Sequence, residues 1–336
     1  SGLLVSLMSF APARHHHRSS EVQDSSEVTV QDDSLLPVIA WFSKRDTMTY
    51  WIYDNQWKVN GKDTVMTLSA AAKVMLTVTD STKKGYDMEY TFLEFVSNDQ
   101  IKSEAQNLVG QAADILNDAT VGTTIRFSTD QYGKIIKYYN LKDIKKQAKE
   151  VLTKTFSKMP YADSLRAVGF NLDKLMSMID SDKLVDGYTE EIELLFDYHG
   201  DQYKIGETES HENATENEYA SDAKTYIWLD PDTYEYGISA DVYSYIPRED
   251  IKVLLGNLIE YFTDDESAKD VRKGLDTEFD SQVTTDGVCN SYVRISYFND
   301  GWPQEVVSQN NISLGDRQKL KQKYITWDYR SVGHSK

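Results

Sequence analysis

The sequence predicts an α+β protein in which curved, half-barrel-like antiparallel sheets are covered by helices. Three observations favour this class: strand patterns of period two, amphipathic helical stretches between them, and a strand-hairpin-helix unit that repeats within the chain. The chain has 336 residues, more than the roughly 100–200 residues of a typical domain. We therefore expect two related α+β lobes, an N-terminal lobe over residues 41–182 and a C-terminal lobe over residues 183–336.

The N-terminal segment predicts export. An apolar run over residues 2–10 precedes Ala11 and Ala13, which have the spacing of a signal-peptide cleavage site. We expect residues 1–13 to be the remnant of a signal peptide and the protein to be periplasmic or secreted; the alternative is a short buried helix. Residues 14–40 are rich in Ser, Asp, Glu and Gln, which indicates a disordered acidic leader.

The composition excludes some partners. The chain carries 36 basic and 54 acidic residues, a formal charge of −18, which repels the phosphates of nucleic acids and anionic bilayers. After the N-terminal segment no apolar run approaches the ~20 residues of a membrane-spanning helix. Cys289 is the single cysteine, so an intramolecular disulfide cannot form. Stability must therefore come from a packed core.

The first lobe begins with strand patterns. The segments "TMTYWIYDNQWKV" and "AKVMLTVTDS" flank Asn60-Gly61, a pair typical of hairpin turns. The next segment, "GYDMEYTFLEF", alternates apolar and polar residues, which predicts a strand with one apolar face. The residues on that face are Tyr86, Met88, Tyr90 and Phe92.

Amphipathic helices are predicted after these strands, over residues 100–118, 141–159 and 163–180. In the first of them, apolar residues recur at spacings of three and four, as on one face of a helix. These residues are Ile101, Ala105, Leu108, Ala112 and Ile115. Each stripe is suited to packing on one face of a sheet.

A repeated unit is predicted from residues 129–146, 231–253 and 299–320. Each segment reads as a strand, a turn, a strand and a helix with an acidic first turn; the glycines expected in the turns are Gly133, Gly237 and Gly301. The segment "GYTEEIELLF" resembles "GYDMEYTFLEF" and is therefore predicted to be a strand. We expect residues 85–152 and 187–262 to share one arrangement.

No catalytic or metal-binding motif occurs in the sequence. With 54 acidic residues, adjacent carboxylates such as Glu190-Glu191 are expected by chance and do not identify a general acid and base. His199 and His211 flank a segment that contains Glu207 and Glu209, but this is no recognised ligand spacing. We expect no enzyme activity, no cofactor and no metal site.

Three segments carry a resemblance to known proteins. With "GYDMEYTFLEF" and "DQYGKIIKYYNLKDIKK", the chain resembles the uncharacterised secreted two-repeat domain proteins of Gram-negative envelopes. The segment "YFNDGWPQEVV" is similar to the closing strands of the outer-membrane lipoprotein carrier superfamily. This resemblance implies a half-closed antiparallel barrel whose concave side is plugged by helices and which carries acyl chains or other apolar cargo. It implies no functional residues, because no diagnostic motif is shared.

We expect an exported, non-enzymatic binding or carrier protein of the cell envelope whose partner is a lipid, another apolar ligand or an envelope protein. The alternative is a structural or surface-interaction module with no ligand cavity. A third hypothesis is a hydrolase that acts on envelope glycans through carboxylates. The candidate ligand-binding residues lie between the predicted strand and helix: Tyr86, Met88, Tyr90, Phe92, Ile101, Leu108 and Ala112.

Overall fold

The computed structural model describes residues 35–97, 120–158, 182–215, 219–252, 285–315 and 317–333. Strands dominate these ranges, and the two longer helices are α1 (Leu141–Lys158) and α2 (Asp182–Phe196). The strands are β1 (Leu35–Pro37), β2 (Thr47–Asn60), β3 (Asp63–Thr82), β4 (Gly85–Ser97), β5 (Thr124–Asp130), β6 (Ile135–Tyr138), β7 (Gln202–Lys204), β8 (Gly206–Glu212), β9 (Ser221–Leu229), β10 (Tyr236–Ile246), β11 (Gly287–Tyr297), β12 (Pro303–Leu314) and β13 (Arg317–Ser331). The predicted signal segment, residues 1–13, and residues 14–34 of the predicted leader lie outside the described residues. Residues 35–40 of that leader are described; they include β1 and the buried residues Leu36, Val38 and Ala40.

Eleven of the strands form one antiparallel sheet in the order β6-β5-β4-β3-β2-β13-β12-β11-β10-β9-β8. Its two halves are meanders, in which successive strands pair as neighbours. They join where β2 pairs with β13 in a register that runs from Asn60 opposite Arg317 to Thr47 opposite Ser331. Strands of both predicted lobes therefore lie in a single sheet, and the predicted boundary at residue 182 falls at the start of α2.

The sheet is strongly curled. The N–H groups of the consecutive residues Ala40 and Trp41 donate to the carbonyls of Tyr132 and Asp300, at 3.0 and 2.9 Å. Tyr132 lies in the β5–β6 turn and Asp300 in the β11–β12 turn. In a flat sheet β5 and β12 would be about 24 Å apart, given about 4.8 Å per strand. Only a curled sheet brings both turns to neighbouring residues.

The chain between β1 and β2 closes one end of this curl. Phe42 stacks on Trp302 with ring centroids 4.0 Å apart, and its ring lies 6.3 Å from that of Phe196 at the end of α2. These side chains join the buried apolar residues on the concave side of the sheet in one core. We call this side of the sheet the inner face, and this end the closed end.

The predicted α+β class with helix-covered sheets is wrong, because the described protein is mostly β. The segment "GYTEEIELLF" forms the end of α2 and is not a strand. A strand period of two fits Ile192, Leu194 and Phe196, whereas a helical period fits Ile192, Leu195 and Phe196 equally well. All four of these side chains are buried. Residues 85–152 begin with strand β4 and residues 187–262 begin in helix α2, so the predicted shared arrangement is also wrong.

The three repeat units differ in outcome. The first forms β5, β6 and α1, as predicted; the second forms β9, β10 and a helix that begins at residue 248 and is described as far as residue 252. In the third, the predicted helix after Ser313 is the β12–β13 hairpin, with Gly315 in its turn at a φ of 60°. Residues after this turn pair with β2, a strand from the other end of the chain. That long-range pairing outweighs the local helical pattern.

Gly237 does not lie in a turn. It lies within β10, where a Cβ atom would be 2.5 Å from the indole nitrogen of Trp228 on the neighbouring strand. The missing side chain thus makes room for an indole ring, whereas Gly133 and Gly301 do lie in turns, at φ values of 97° and 83°. Glycine at a strand position often marks such a close approach.

Candidate ligand-binding face of the sheet

The structure places the predicted β4 residues in the packed core. Tyr86, Met88, Tyr90 and Phe92 lie on the inner face, and each is at most 9% exposed. The hydroxyl of Tyr86 donates to the carbonyl of Ala40 at 2.9 Å, and the rings of Tyr90 and Phe92 are 5.1 Å apart. The other candidate residues, Ile101, Leu108 and Ala112, lie outside the described residues.

A buried polar cluster borders this core on the inner face. The ammonium of Lys323 on β13 lies 2.5 Å from Glu191 Oε1, 3.2 Å from Glu190 Oε2 and 3.5 Å from Asp54 Oδ1. Asp54 is the cross-strand partner of Lys323 on β2, and both glutamates lie on α2. The cluster therefore connects α2 to the middle of the sheet.

The carboxylates keep Lys323 charged. Burial alone would lower its pKa, but the charges of Asp54, Glu190 and Glu191 outweigh burial and hold the pKa well above its ordinary value. Glu191 Oε2 and the hydroxyl of Tyr90 are buried and have no hydrogen-bond partner among the residues that the structure describes. The cluster thus retains unused hydrogen-bonding capacity next to the core.

Beyond the polar cluster, the inner face carries mostly short side chains that are partly exposed to solvent. Ile238, Ile295 and Val306 are neighbours across β10, β11 and β12, and their side chains lie on the inner face. Alternate residues of a strand share a face, so the second and fourth residues after Ile238, before Ile295 and after Val306 also lie on it. All of them are half-buried. We call them the inner strip: Ala240, Val242, Ser291, Val293, Ser308 and Asn310. Short side chains on the concave side of a curled sheet leave space for a ligand.

Basic residues flank the inner strip on β13. Lys319 and Lys321 share the inner face with Lys323, since they lie four and two residues before it, and Lys58 on β2 is the cross-strand partner of Lys319. Burial lowers the pKa of Lys321 to about 8, with Lys319 adding to the shift. Sequence reasoning missed these lysines because their segment was predicted to be a helix.

The outer face carries a ladder of aromatic rings. Trp51 and Tyr53 have centroids 6.3 Å apart, and Tyr53 and Tyr324 have centroids 6.0 Å apart, both with nearly parallel planes. Lys73 lies 5.3 Å above the Trp51 ring and 2.7 Å from Asp328. A period of two assigns aromatic residues to one face of a strand, but the sequence does not reveal whether that face is concave.

The predicted absence of a metal site concerned His199, His211 and the residues between them. His211 Nδ1 lies 2.7 Å from Asp222, while Glu207 and Glu209 lie 2.7 and 3.5 Å from Lys224. His211 thus has Asp222 as its partner, and the two glutamates share Lys224. Across the described ranges, no group of three His, Cys, Asp or Glu side chains has an arrangement that could hold a metal ion.

His199 instead lies buried at the closed end. Its Nε2–H donates to the carbonyl of Gly301 at 2.9 Å, and its ring lies 5.1 Å from that of Phe196. Burial lowers the pKa of His199 to about 4. The neutral imidazole is thus part of the packing that holds the β11–β12 turn.

The titration of His199 predicts a loss of stability in mild acid. Because its folded pKa is about 4 and its unfolded pKa is about 6.5, the unfolded chain binds the proton first as the pH falls. We expect the free energy of unfolding to drop by about 3 kcal/mol between pH 7 and pH 4 from this residue alone. Urea denaturation at several pH values measures this loss.

The matched variant for this experiment is His199→Gln, whose amide can still donate to Gly301 but cannot titrate. Its free energy of unfolding should fall less between pH 7 and pH 4 than that of the unmodified protein. An identical pH dependence in both proteins would show that His199 is not the group responsible.

In the ranges that the structure describes, none of the helices is both long and apolar enough to cross a membrane.

No family model and no curated protein matches the chain. Among solved structures, the chain is similar to lipovitellin, in a structure of lipid-protein interactions, with 8% identity and a TM-score of 0.36; 88% of this chain and 26% of that chain are covered. It is also similar to an outer membrane channel from Pseudomonas putida F1, with 9% identity and a TM-score of 0.14, over 90% of this chain and 100% of that one. The chain thus spans about a quarter of the lipovitellin chain, and likeness at these TM-scores carries no functional argument.

Proposed function

We propose that the protein is an exported, non-enzymatic binding or carrier protein that holds the apolar chain of a ligand on the inner strip. One observation carries this proposal: small and aliphatic side chains remain half-exposed on the concave side of a strongly curled sheet. The closed end supplies a packed wall, and the inner strip adjoins it. The ligand site is therefore placed on β10, β11 and β12 and not on the core residues of β4.

The chemistry of the inner strip suits an alkyl chain. Ala240, Val242 and Val293 offer aliphatic surface, while Ser291 and Ser308 are short enough to leave room within the curl. Each methylene removed from water contributes about 0.8 kcal/mol. Over a chain of several carbons this outweighs the cost of ordering it, so the main source of affinity would be burial of the ligand itself.

A substitution that fills the curl tests this function. We expect Ala240→Trp to weaken binding of a fluorescent fatty acid at least about tenfold, because the indole would occupy the space along the inner strip. Ala240 is half-buried and opposite Val293, so the substitution lies in the middle of the proposed site and outside the fully buried core. Titration of the probe fluorescence measures the affinity, and circular dichroism checks the fold.

The matched control is Ser239→Trp, one residue away on the outer face, where the partner is Arg294. This variant should bind the probe as the unmodified protein does. Equal affinity in both variants would contradict a ligand on the inner strip, as would failure of the unmodified protein to bind the probe at all.

A second candidate function is a surface-interaction module, favoured by the aromatic ladder of Trp51, Tyr53 and Tyr324 on the outer face. Tyr53 is exposed and the other two rings are half-buried; Trp and Tyr side chains are common anchors in protein interfaces. The two functions use different faces of the sheet, since an envelope protein would contact the outer face and a lipid would contact the inner face. The hydrolase hypothesis gains no support, because Asp54, Glu190 and Glu191 converge on Lys323.

A further inference from the structure

Two lysines on the inner face lie directly opposite each other. Lys58 on β2 and Lys319 on β13 are cross-strand partners, and such partners have Cβ atoms about 5 Å apart. Lys321, two residues further along β13, faces the same side and is opposite Gln56. The three ammonium groups thus form a basic patch, which we call the lysine patch, in a protein whose formal charge is −18.

Within the lysine patch, Lys58 and Lys319 differ from Lys323 in their surroundings. Lys323 has three carboxylates within 3.5 Å. In contrast, no carboxylate of the described residues forms an ion pair with Lys58 or Lys319, and burial together with Lys58 lowers the pKa of Lys319. Like charges directly opposite each other in a sheet are destabilising. This arrangement therefore costs folding stability, and an anion placed between the two ammonium groups would offset the cost.

The lysine patch lies beside the inner strip. Lys319 and Lys321 are opposite Ile312 and Asn310 on β12, and Asn310 is in turn opposite Ser291 on β11. With about 4.8 Å between neighbouring strands, Lys321 is one to three strands from the residues of the inner strip. An anionic group at the patch would leave an attached chain free to run across β12 and β11.

We propose that Lys58, Lys319 and Lys321 bind the anionic headgroup of an amphiphilic ligand whose chain lies on the inner strip. This inference rests on the proposed function and narrows its ligand class to acidic amphiphiles. A phosphate or a carboxylate accepts charge-assisted hydrogen bonds from several ammonium groups at once. The half-buried position of Lys319 and Lys321 strengthens these bonds, since water competes less there.

Three probes separate the headgroup from the chain: dodecyl phosphate, dodecanol and inorganic phosphate. The test variant is the double substitution Lys58→Gln and Lys319→Gln. The control is Lys83→Gln with Lys84→Gln, which removes the same charge from the exposed β3–β4 turn.

Isothermal calorimetry measures each affinity, and thermal denaturation without ligand checks the fold. The test variant should melt no lower than the unmodified protein, because like-charge repulsion is relieved.

We expect the unmodified protein and the control to bind dodecyl phosphate at least about tenfold more tightly than dodecanol, and the test variant to lose this preference. Equal binding of the two chains, or a preference that survives in the test variant, would overturn the headgroup site and leave the proposed function standing. If inorganic phosphate binds as tightly as dodecyl phosphate, the patch is a free-anion site and the amphiphile is excluded. If neither chain binds the unmodified protein, the proposed function fails together with this inference.

Discussion

Replacing Lys323 by methionine is expected to lower the free energy of unfolding by about 3–5 kcal/mol. The Lys323 side chain is 8% exposed, and its ammonium lies within 3.5 Å of Asp54, Glu190 and Glu191. Its removal takes away the counter-charge that lies nearest to the buried carboxylate of Glu191 next to the core. Since the same cluster connects α2 to the sheet, the loss should appear as a lower urea midpoint for the whole protein.

Two further variants make this result specific. Lys44→Met removes an exposed pair with Asp80, whose side chains are 59% and 48% exposed, and should cost at most about 1 kcal/mol. Adding Glu191→Leu to Lys323→Met should recover part of the lost stability, because one uncompensated charge is then gone. Equal urea midpoints for Lys323→Met and Lys44→Met would mean that the buried cluster contributes nothing beyond an ordinary surface pair.

The second large effect is expected at the closed end, where Gly301→Ala should destabilise the protein by about 3 kcal/mol or more. Gly301 has a φ of 83°, and a Cβ atom there would lie 2.2 Å from the carbonyl oxygen of Ile39. Because that neighbour is backbone, the β11–β12 turn must move away from residues 39–41. The expected result is a lower melting temperature together with weaker binding of the fluorescent fatty acid.

Gly122→Ala is the matched control for this experiment. Gly122 has nearly the same φ, 82°, but a Cβ atom there has nothing within 4 Å. The loss of stability in Gly122→Ala therefore measures the backbone strain alone, which is about 1 kcal/mol. The difference between the two variants measures the clash, and equal losses would show that the contact between the turn and residue 39 does not support the fold.

The strands of the first half were predictable because their signals are local. The β2–β3 turn follows Asn60, with Gly61 at a φ of 58°, and "GYDMEYTFLEF" forms β4 with its apolar face inward. The unit of β5, β6 and α1 also formed as predicted. In each of these cases, turn residues and period two describe contacts between segments that are neighbours in sequence.

The candidate site could not be found in the same way. Tyr86, Met88, Tyr90 and Phe92 were placed correctly on an apolar face, but that face is packed against the closed end and is not open to a ligand. The residues of the inner strip alternate with large exposed side chains such as Tyr243 and Tyr245, which dominate the sequence pattern. Whether a side chain lies in a packed or an open part of a face depends on curvature, which no local pattern encodes.

By itself, the sequence determined which segments can be strands and which residues share a face, and it located the turns at Gly133 and Gly301 but misplaced Gly237 in a turn. Only the tertiary structure decided that "GYTEEIELLF" is helical and that the segment with Lys319 and Lys321 is a strand paired with β2. The physical reason is that an apolar segment which satisfies both a helical and a strand period has two nearly equal local solutions. The choice is then made by burial against partners distant in sequence, as when β13 completes the sheet beside β2 and brings Lys323 opposite Asp54.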